Sequence, residues 1–192
     1  MLNVIICGAP GCGKGTQSQL IEKKYNLKHL STGDILRKEI SEKTELGMIA
    51  DSYISKGNLV PDEMIIDILV KTIQNMDEKS NGVILDGFPR TVNQAVALEE
   101  MLEKQNLKNT VLIDIHVEQD ELVTRLVKRG ETSGRKDDNL ETIKKRLEIY
   151  ENQTAPVNNF YMKLNKYNAV NGIGTVEEIF GRLSAVIDSK LS

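Results

Sequence analysis

The sequence predicts an α/β protein built around a parallel β-sheet. Short apolar runs such as Leu2–Cys7 are typical of strands covered on both faces. Longer segments with helical periodicity alternate with these runs along the whole chain, and a glycine-rich loop follows the first of them. Because such chains form parallel sheets with right-handed crossovers, their ligands bind at the carboxyl ends of the strands. We therefore expect one α/β domain with its site at that edge.

The loop after the first strand carries the pattern G-x-x-x-x-G-K, from Gly8 to Lys14. Glycines let the backbone turn with its N–H groups pointing inward, where a side chain would block a phosphate. A helix expected from Lys14 to Tyr25 directs its positive end to the same place. Lys14 adds a mobile charge for the outer phosphates. The pattern in this context predicts a phosphate-binding loop; the alternative is a glycine-rich turn with a surface lysine.

One position departs from the general pattern of phosphate-binding loops. The residue after the lysine is commonly Ser or Thr, whose hydroxyl binds Mg²⁺. Here that residue is Gly15, and Thr16 follows one step later. Direct ligation of Mg²⁺ by this loop is therefore not expected.

Between the first helix and the second buried strand, capping and turn residues predict short elements. These are a link or strand at Leu27–Leu30, N-cap candidates at Ser31–Asp34, helices near Gly33–Ser41 and Glu45–Ser55, a turn at Lys56–Asn58 and a helix opening at Pro61.

The second half of the chain continues the alternation of strands and helices. Its expected elements are a strand at Val83–Leu85 ending in Asp86–Arg90, a helix at Thr91–Lys104, a strand at Thr110–Val117, a helix at Gln119–Arg129, a flexible polar segment at Gly130–Gly134, a helix at Asn139–Asn152, a strand at Tyr167–Asn171, a turn at 171–174 and a helix at Thr175–Lys190. We interpret His116 as a satisfied strand residue, not as a catalyst.

Composition limits the classes of function. The chain has 192 residues, 40% of them hydrophobic and 28% charged, with a net charge of −3. It is not basic, as general nucleic-acid binders are, and no run of residues is long and apolar enough for a membrane span. The two cysteines, Cys7 and Cys12, are too few and too close in sequence to form a zinc site or a disulfide framework. We expect a cytoplasmic protein without nucleic-acid or membrane partners.

Arginine is scarce and unevenly placed. Only seven arginines occur, and four lie between positions 125 and 146. Since the planar guanidinium matches phosphate oxygens, this clustering favours local recognition of phosphate. The arginines are Arg37, Arg90, Arg125, Arg129, Arg135, Arg146 and Arg182, and the last is interpreted as a surface charge.

Together these motifs resemble the adenylate kinase family in its short-lid form, over nearly the whole chain. The residues that carry the resemblance are Gly8–Thr16, Ser31–Asp34 with Arg37, Gly57–Val60, Leu85–Thr91 with Gln94, Arg125, Lys128–Arg135, Asp137–Asn139 and Arg146. The presence of Gly15 and Thr16 is itself usual in this family.

The resemblance implies a P-loop three-layer fold with a five-stranded parallel sheet. It also implies reversible transfer of a phosphoryl group from Mg-ATP to AMP, giving two ADP, by a monomer. The core would be 1–30, 61–128 and 140–192, the monophosphate-binding insertion 31–60 and the lid 129–139. The residues implied to bind ATP are Gly11, Cys12, Gly13, Lys14, Gly15, Thr16, Arg125, Arg129 and Gly174. Those implied to bind AMP are Thr32, Arg37, Asn58, Leu59, Val60, Gly87, Phe88, Pro89, Arg90, Gln94, Arg135 and Arg146. Those implied to be catalytic are Lys14, Asp86, Arg90, Arg129, Arg135 and Arg146.

The physical requirements of the implied reaction agree with these residues. Phosphoryl transfer needs positioning and charge stabilisation more than covalent chemistry. The acceptor, a phosphate with a second pKa of about 6, is already ionised at neutral pH, so no general base is required. Asp86 is expected to hold Mg²⁺ through its water shell, with no direct metal ligand from the chain. The short lid has no cysteines, so no zinc is expected.

Three other functions remain open at this stage. A UMP/CMP kinase would share the fold and the phosphate-binding residues, and only Thr32 and Gln94 favour AMP. A GTPase is suggested by Asn165–Asn168, but its N-K-x-D pattern lacks the final aspartate. A non-catalytic nucleotide-binding scaffold is disfavoured, because all the expected phosphate-binding cations are present.

Overall fold

A computed structural model describes residues 1–74, 80–104, 107, 109–135 and 137–191. Parts of the expected core and lid ranges, namely 75–79, 105–106, 108 and 136, lie outside the described residues. Within them the chain forms a five-stranded sheet of order β2-β3-β1-β4-β5, and every pair of neighbours is parallel. The expected α/β fold with a five-stranded parallel sheet is confirmed.

The strands match the predicted runs, with bounds shifted by at most one residue. They are β1 Leu2–Cys7, β2 Lys28–Ser31, β3 Gly82–Asp86, β4 Asn109–His116 and β5 Tyr167–Asn171. The helices are α1 Lys14–Tyr25, α2 Thr32–Ser41, α3 Glu45–Ile54, α4 Asp62–Gln74, α5 Val92–Lys104, α6 Gln119–Ser133, α7 Leu140–Ile149, α8 Ala155–Lys163 and α9 Val176–Leu191.

Helices cover both faces of the sheet and enclose two hydrophobic cores. On one face Ile6 and Ile113 pack with α1, α6 and α9, for example against Leu183. On the other face Ile5 and Leu85 pack with α4, α5 and α8. Burial on both faces explains why β1 and β3 are apolar throughout, as parallel strands require. Of the helices in the described ranges, none is both long and apolar enough to cross a membrane.

The segment after β4 does not follow the predicted helix bounds. Sequence reasoning ended a helix at Arg129 and expected a flexible Gly130–Gly134, but α6 continues to Ser133. Gly130 lies inside this helix. Glycine is required at this position because a Cβ would lie 2.7 Å from the backbone oxygen of Asp138. The glycine thus permits close packing and does not break the helix. The helix ends at Gly134, whose φ of 64° is the left-handed conformation typical of a C-cap.

A second difference concerns α7 and α8. The predicted helix ended at Asn152, and no helix was expected over residues 155–163. In the structure α7 passes into a π-helical turn, Tyr150–Thr154, and then directly into α8. Pro156 is tolerated because it lies in the first turn of α8, where its missing N–H costs little. The three pieces form one continuous helical element.

Candidate active site

A large cavity opens at the carboxyl ends of the strands, where the sequence placed the site. Its volume is about 830 Å³, and it extends from the loop after β1 to the α2–α3 segment and the N-terminus of α5. Among the described residues that line it, seven cations face three carboxylates. The cavity is therefore strongly positive in a chain whose net charge is −3, which suits ligands that carry several phosphates.

The glycine-rich loop has the backbone geometry that the sequence predicted. Gly11 and Gly13 have φ angles of 90° and 100°, in the left-handed region that glycine adopts without strain. A Cβ at Gly11 would also lie 2.9 Å from the side chain of Leu126. The loop leads into α1, so the N-terminal end of that helix faces the cavity.

Lys14 is folded back over this loop. Its Nζ donates to the carbonyl oxygens of Gly8 and Ala9 at 2.6 and 3.0 Å and lies 3.5 Å from the Sγ of Cys12. These contacts hold the ammonium at the mouth of the loop, where it lines the cavity. Cys12 itself is buried and packs in the core under the loop.

Asp86 ends β3 at the centre of the cavity. Its side chain is 11% exposed, and the His29 Nε2 lies 3.5 Å from its Oδ2. A Cβ at Gly15 would lie 3.7 Å from the same oxygen, so the glycine loop and the carboxylate are neighbours. Carboxylate oxygen is the ligand class that Mg²⁺ prefers, and the open cavity beside it leaves room for the waters the ion retains. The residues present thus fit a hydrated Mg²⁺ held near Asp86.

The turn after β3 carries Arg90. Arg90 Nε donates to the Gly87 carbonyl oxygen at 2.8 Å, and Thr32 Oγ1 donates to the same oxygen at 2.9 Å. Burial lowers the pKa of Arg90, and the charge of Arg146 lowers it further, but a guanidinium remains charged at neutral pH. Arg37 pairs with Asp34 at 2.5 Å at the edge of the cavity.

Arg129 and Arg146 converge on one buried carboxylate. Arg129 binds Asp138 through two hydrogen bonds of 2.6 and 2.8 Å. Arg146 Nη1 lies 2.8 Å from the same group and 2.7 Å from Asp137. Burial raises the pKa of Asp138, but the hydrogen bond and charge of Arg129, together with those of Arg146, outweigh it and leave the pKa below its usual value. This carboxylate holds α6 and α7 together at the cavity rim.

We expect the stability of the protein to depend on pH through Asp138. Because its folded-state pKa is depressed, its contribution is complete above the unfolded pKa of about 3.9 and is lost as the pH falls through the folded value. Asp138→Asn should therefore lower the free energy of unfolding by about 2 kcal/mol at pH 7, and the difference from wild type should shrink below about pH 4. Urea unfolding across this range is the measurement, with exposed Asp67→Asn as control; a difference that does not change with pH would contradict the assignment.

Arg135 and Arg90 differ from the other cavity arginines. No carboxylate within the described part of the chain lies within ion-pair distance of either guanidinium. Burial lowers the pKa of Arg135, and so do the charges of Arg37 and Arg129. Both charges are therefore available to an anionic ligand in the cavity.

The far end of the cavity is less charged. Asn58, Leu59 and Val60 line it together with Gln94, which is buried but reaches the cavity. Gln94 Oε1 accepts from the Arg90 backbone N–H at 2.7 Å, and its Nε2 donates to Asp62 Oδ1 at 2.7 Å. An apolar wall with one fixed amide is suited to a nucleobase.

The structure brings the sequence-predicted residues to this one cavity, with one exception. Phe88 is 2% exposed and packs in the core below the loop, and it is not among the described lining residues. Sequence reasoning assigned no role to several residues that belong to the site: Asp34, Asp62, Asp137, Asp138, Tyr150 and Thr154. The paired aspartates after a run of arginines were the available signal for Asp137 and Asp138. Anywhere in the described ranges, the cavity included, no group of three or more His, Cys, Asp or Glu side chains is arranged to hold a metal.

The fold and the cavity define a P-loop phosphotransferase with two ligand-binding ends. The sequence profile of adenylate kinases matches residues 6–166. The chain is 53% identical over 189 residues to the adenylate kinase of Parabacteroides distasonis, which covers 98% of this chain and 99% of that protein. It is 51% identical over 188 residues to that of Bacteroides thetaiotaomicron, covering 98% and 99%, and 47% identical over 188 residues to that of Porphyromonas gingivalis, covering 98% and 96%. The chain belongs to the adenylate kinase family.

Proposed function

We propose that this protein transfers the terminal phosphoryl group of Mg-ATP reversibly to AMP, giving two ADP. The observation that carries the proposal is the layout of the cavity, with the phosphate loop at one end, the Gln94 amide at the other and a row of arginines between them. A cavity of about 830 Å³ is within the range of small-molecule sites, which reach about 1,000 Å³. The names of the relatives support the same substrates.

In this proposal each residue acts through charge and position. The backbone of the loop holds the ATP phosphates, through Gly11, Cys12, Gly13, Gly15 and Thr16. Lys14 binds the outer phosphate. The donor side is completed by Arg125, Arg129 and Gly174. On the acceptor side AMP is held by residues of the α2–α3 segment, the turn after β3 and α5, namely Thr32, Arg37, Asn58, Leu59, Val60, Gly87, Phe88, Pro89, Arg90 and Gln94. Arg135 and Arg146 lie between the two nucleotides and stabilise the charge of the transferred group.

Mg²⁺ would be held by Asp86 through water, and it would neutralise charge on the donor phosphates. No residue is needed as a general base, because the acceptor phosphate is already ionised at neutral pH with a pKa of about 6. Exclusion of water is needed instead, since water competes with AMP as acceptor.

The proposal assigns 31–60 as the monophosphate-binding insertion and 129–139 as the lid, around a core of 1–30, 61–128 and 140–192. Residues 129–133 of this lid form the end of α6, which stops at Gly134. We also propose a monomer in the cytoplasm without zinc.

A UMP/CMP kinase is the second candidate, and the choice depends on Thr32 and Gln94. The GTPase suggested by Asn165–Asn168 is a weaker candidate. Lys166 of that segment pairs with Glu99, and neither residue is among those described as lining the cavity.

The test is the rate of ADP formation from Mg-ATP with AMP, UMP, CMP or GMP supplied one at a time. We expect turnover with AMP to exceed that with each of the others by at least about tenfold, a difference of about 1.4 kcal/mol. Faster turnover with UMP or CMP would establish the second candidate. ATP binding without turnover on any acceptor would instead leave only a nucleotide-binding scaffold.

A further inference from the structure

The Gln94 amide is held from both sides by groups that cannot exchange roles. The Arg90 backbone N–H can only donate, and it faces Oε1; the Asp62 carboxylate can only accept, and it faces Nε2. If the amide turned by 180°, its NH₂ group would face the Arg90 N–H, and its oxygen would face the Asp62 carboxylate. The partners therefore determine which end of the amide carries the hydrogens.

Asp62 is itself fixed in place. It is the first residue of α4, and its second oxygen, Oδ2, accepts from Thr91 Oγ1 at 2.8 Å. Thr91 Oγ1 in turn accepts from the Gln94 backbone N–H at 3.2 Å. Asp62 is not among the described residues that line the cavity, so it acts on a ligand only through Gln94.

The fixed amide keeps one N–H and one lone pair for a ligand. A 6-amino purine offers the complementary edge, with an N6 donor beside an N1 acceptor. A 6-oxo purine carries the reverse pattern, an O6 acceptor beside an N1–H donor. In the same pose, the N1–H of a 6-oxo purine would face the amide N–H and its O6 would face the amide oxygen, unless the amide could turn. Cytosine shares the adenine pattern and uracil shares the reversed one.

We propose that Asp62 is a positioning residue that locks the Gln94 amide and thereby makes the acceptor site select 6-amino over 6-oxo bases. The inference rests on the proposed function, in which Gln94 lies beside the acceptor base. The competing explanation is purely structural. Thr91 and Gln94 have the spacing of a helix capping box, and Asp62 could serve only to stabilise the start of α5.

The two explanations differ in what they predict for a matched pair of acceptors. AMP and inosine monophosphate share ribose, phosphate and ring shape and differ in the pattern at N1 and position 6. We expect wild type to prefer AMP by at least about a hundredfold in kcat/KM. Asp62→Asn, which can face either end of the amide, and Asp62→Ala, which faces neither, should each reduce this preference by about tenfold, with the KM for ATP unchanged.

The control is Asp67→Asn, which removes the same charge from an exposed position on the same helix and should leave the preference unchanged. A purely structural role would lower the melting temperature and reduce both kcat/KM values equally. A preference that stays within about twofold of wild type in either folded variant would overturn the proposal. So would a wild type that uses inosine monophosphate as well as AMP, a result that needs no variant. If wild type phosphorylates no AMP at all, the proposed function fails first, and that outcome is distinct from the others.

Discussion

Replacing Lys14 by methionine is expected to lower turnover by about a thousandfold or more, equivalent to about 4 kcal/mol of transition-state stabilisation. Methionine keeps the length and apolar stem of the side chain but removes its charge. Within the described ranges the ammonium is bonded to groups of its own loop, the carbonyl oxygens of Gly8 and Ala9 and the sulfur of Cys12. The loss should therefore fall on charge stabilisation at the transferred phosphate and not on the fold.

Steady-state turnover with saturating ATP and AMP is the measurement, combined with circular dichroism to verify folding. The matched control is Lys23→Met, the same change at an exposed position on α1. A folded Lys14→Met variant with near-normal turnover would refute the role assigned to this lysine.

Replacing Arg135 by alanine is expected to lower turnover by about a hundredfold while changing the affinity for ATP by less than about threefold. The reason is the position of its guanidinium, which faces the cavity with no carboxylate partner among the described residues. Arg129 and Arg146 are partly neutralised by Asp138, so their loss would combine effects on structure and on charge. Arg135 offers the cleaner measurement of charge stabilisation between the nucleotides.

Turnover should be compared with ATP affinity from equilibrium titration, which separates transition-state effects from binding. Lys144→Ala, which removes an exposed cation from α7, controls for a general change in the cavity field. Equal losses in turnover and ATP affinity would place Arg135 in ground-state binding. An unchanged turnover number would remove it from the mechanism.

The parts of the fold that the sequence predicted are those governed by local patterns. The apolar runs of β1 and β3 are buried on both faces. The glycine loop has few alternative conformations, because Gly11 and Gly13 adopt positive φ angles. Both features depend on residues adjacent in the chain. Periodicity and glycine chemistry were therefore sufficient to identify them.

The errors arose where distant contacts override local preference. Gly130 suggested a break in α6, but its missing side chain makes room for the backbone at Asp138. No helix was expected over residues 155–163, but the π-helical turn carries α7 on into α8, with Pro156 in the first turn, where no N–H is needed. Neither contact can be read from the residues nearby in sequence.

The same reasoning explains which parts of the site were missed. The motif residues were expected because each has a pattern around it, whereas Asp62 lies behind Gln94 and carries no motif of its own. Its role depends on α4 and α5 being neighbours, which only the tertiary structure shows.

The π-helical turn constrains the length of the chain more than the identity of its residues. Its wider hydrogen bond, from the Ala155 N–H to the Tyr150 oxygen, accommodates one extra residue between α7 and α8. Deleting a residue from α7 while this wider turn is kept would rotate α8 by about 100° relative to the start of α7. Val157 and Tyr161, both fully buried, would then face away from the core, and the Thr154 hydroxyl would lose the Arg90 carbonyl oxygen to which it donates at 2.9 Å. We therefore expect single-residue insertions or deletions within α7 or α8 to be more damaging than substitutions at the exposed positions of these helices.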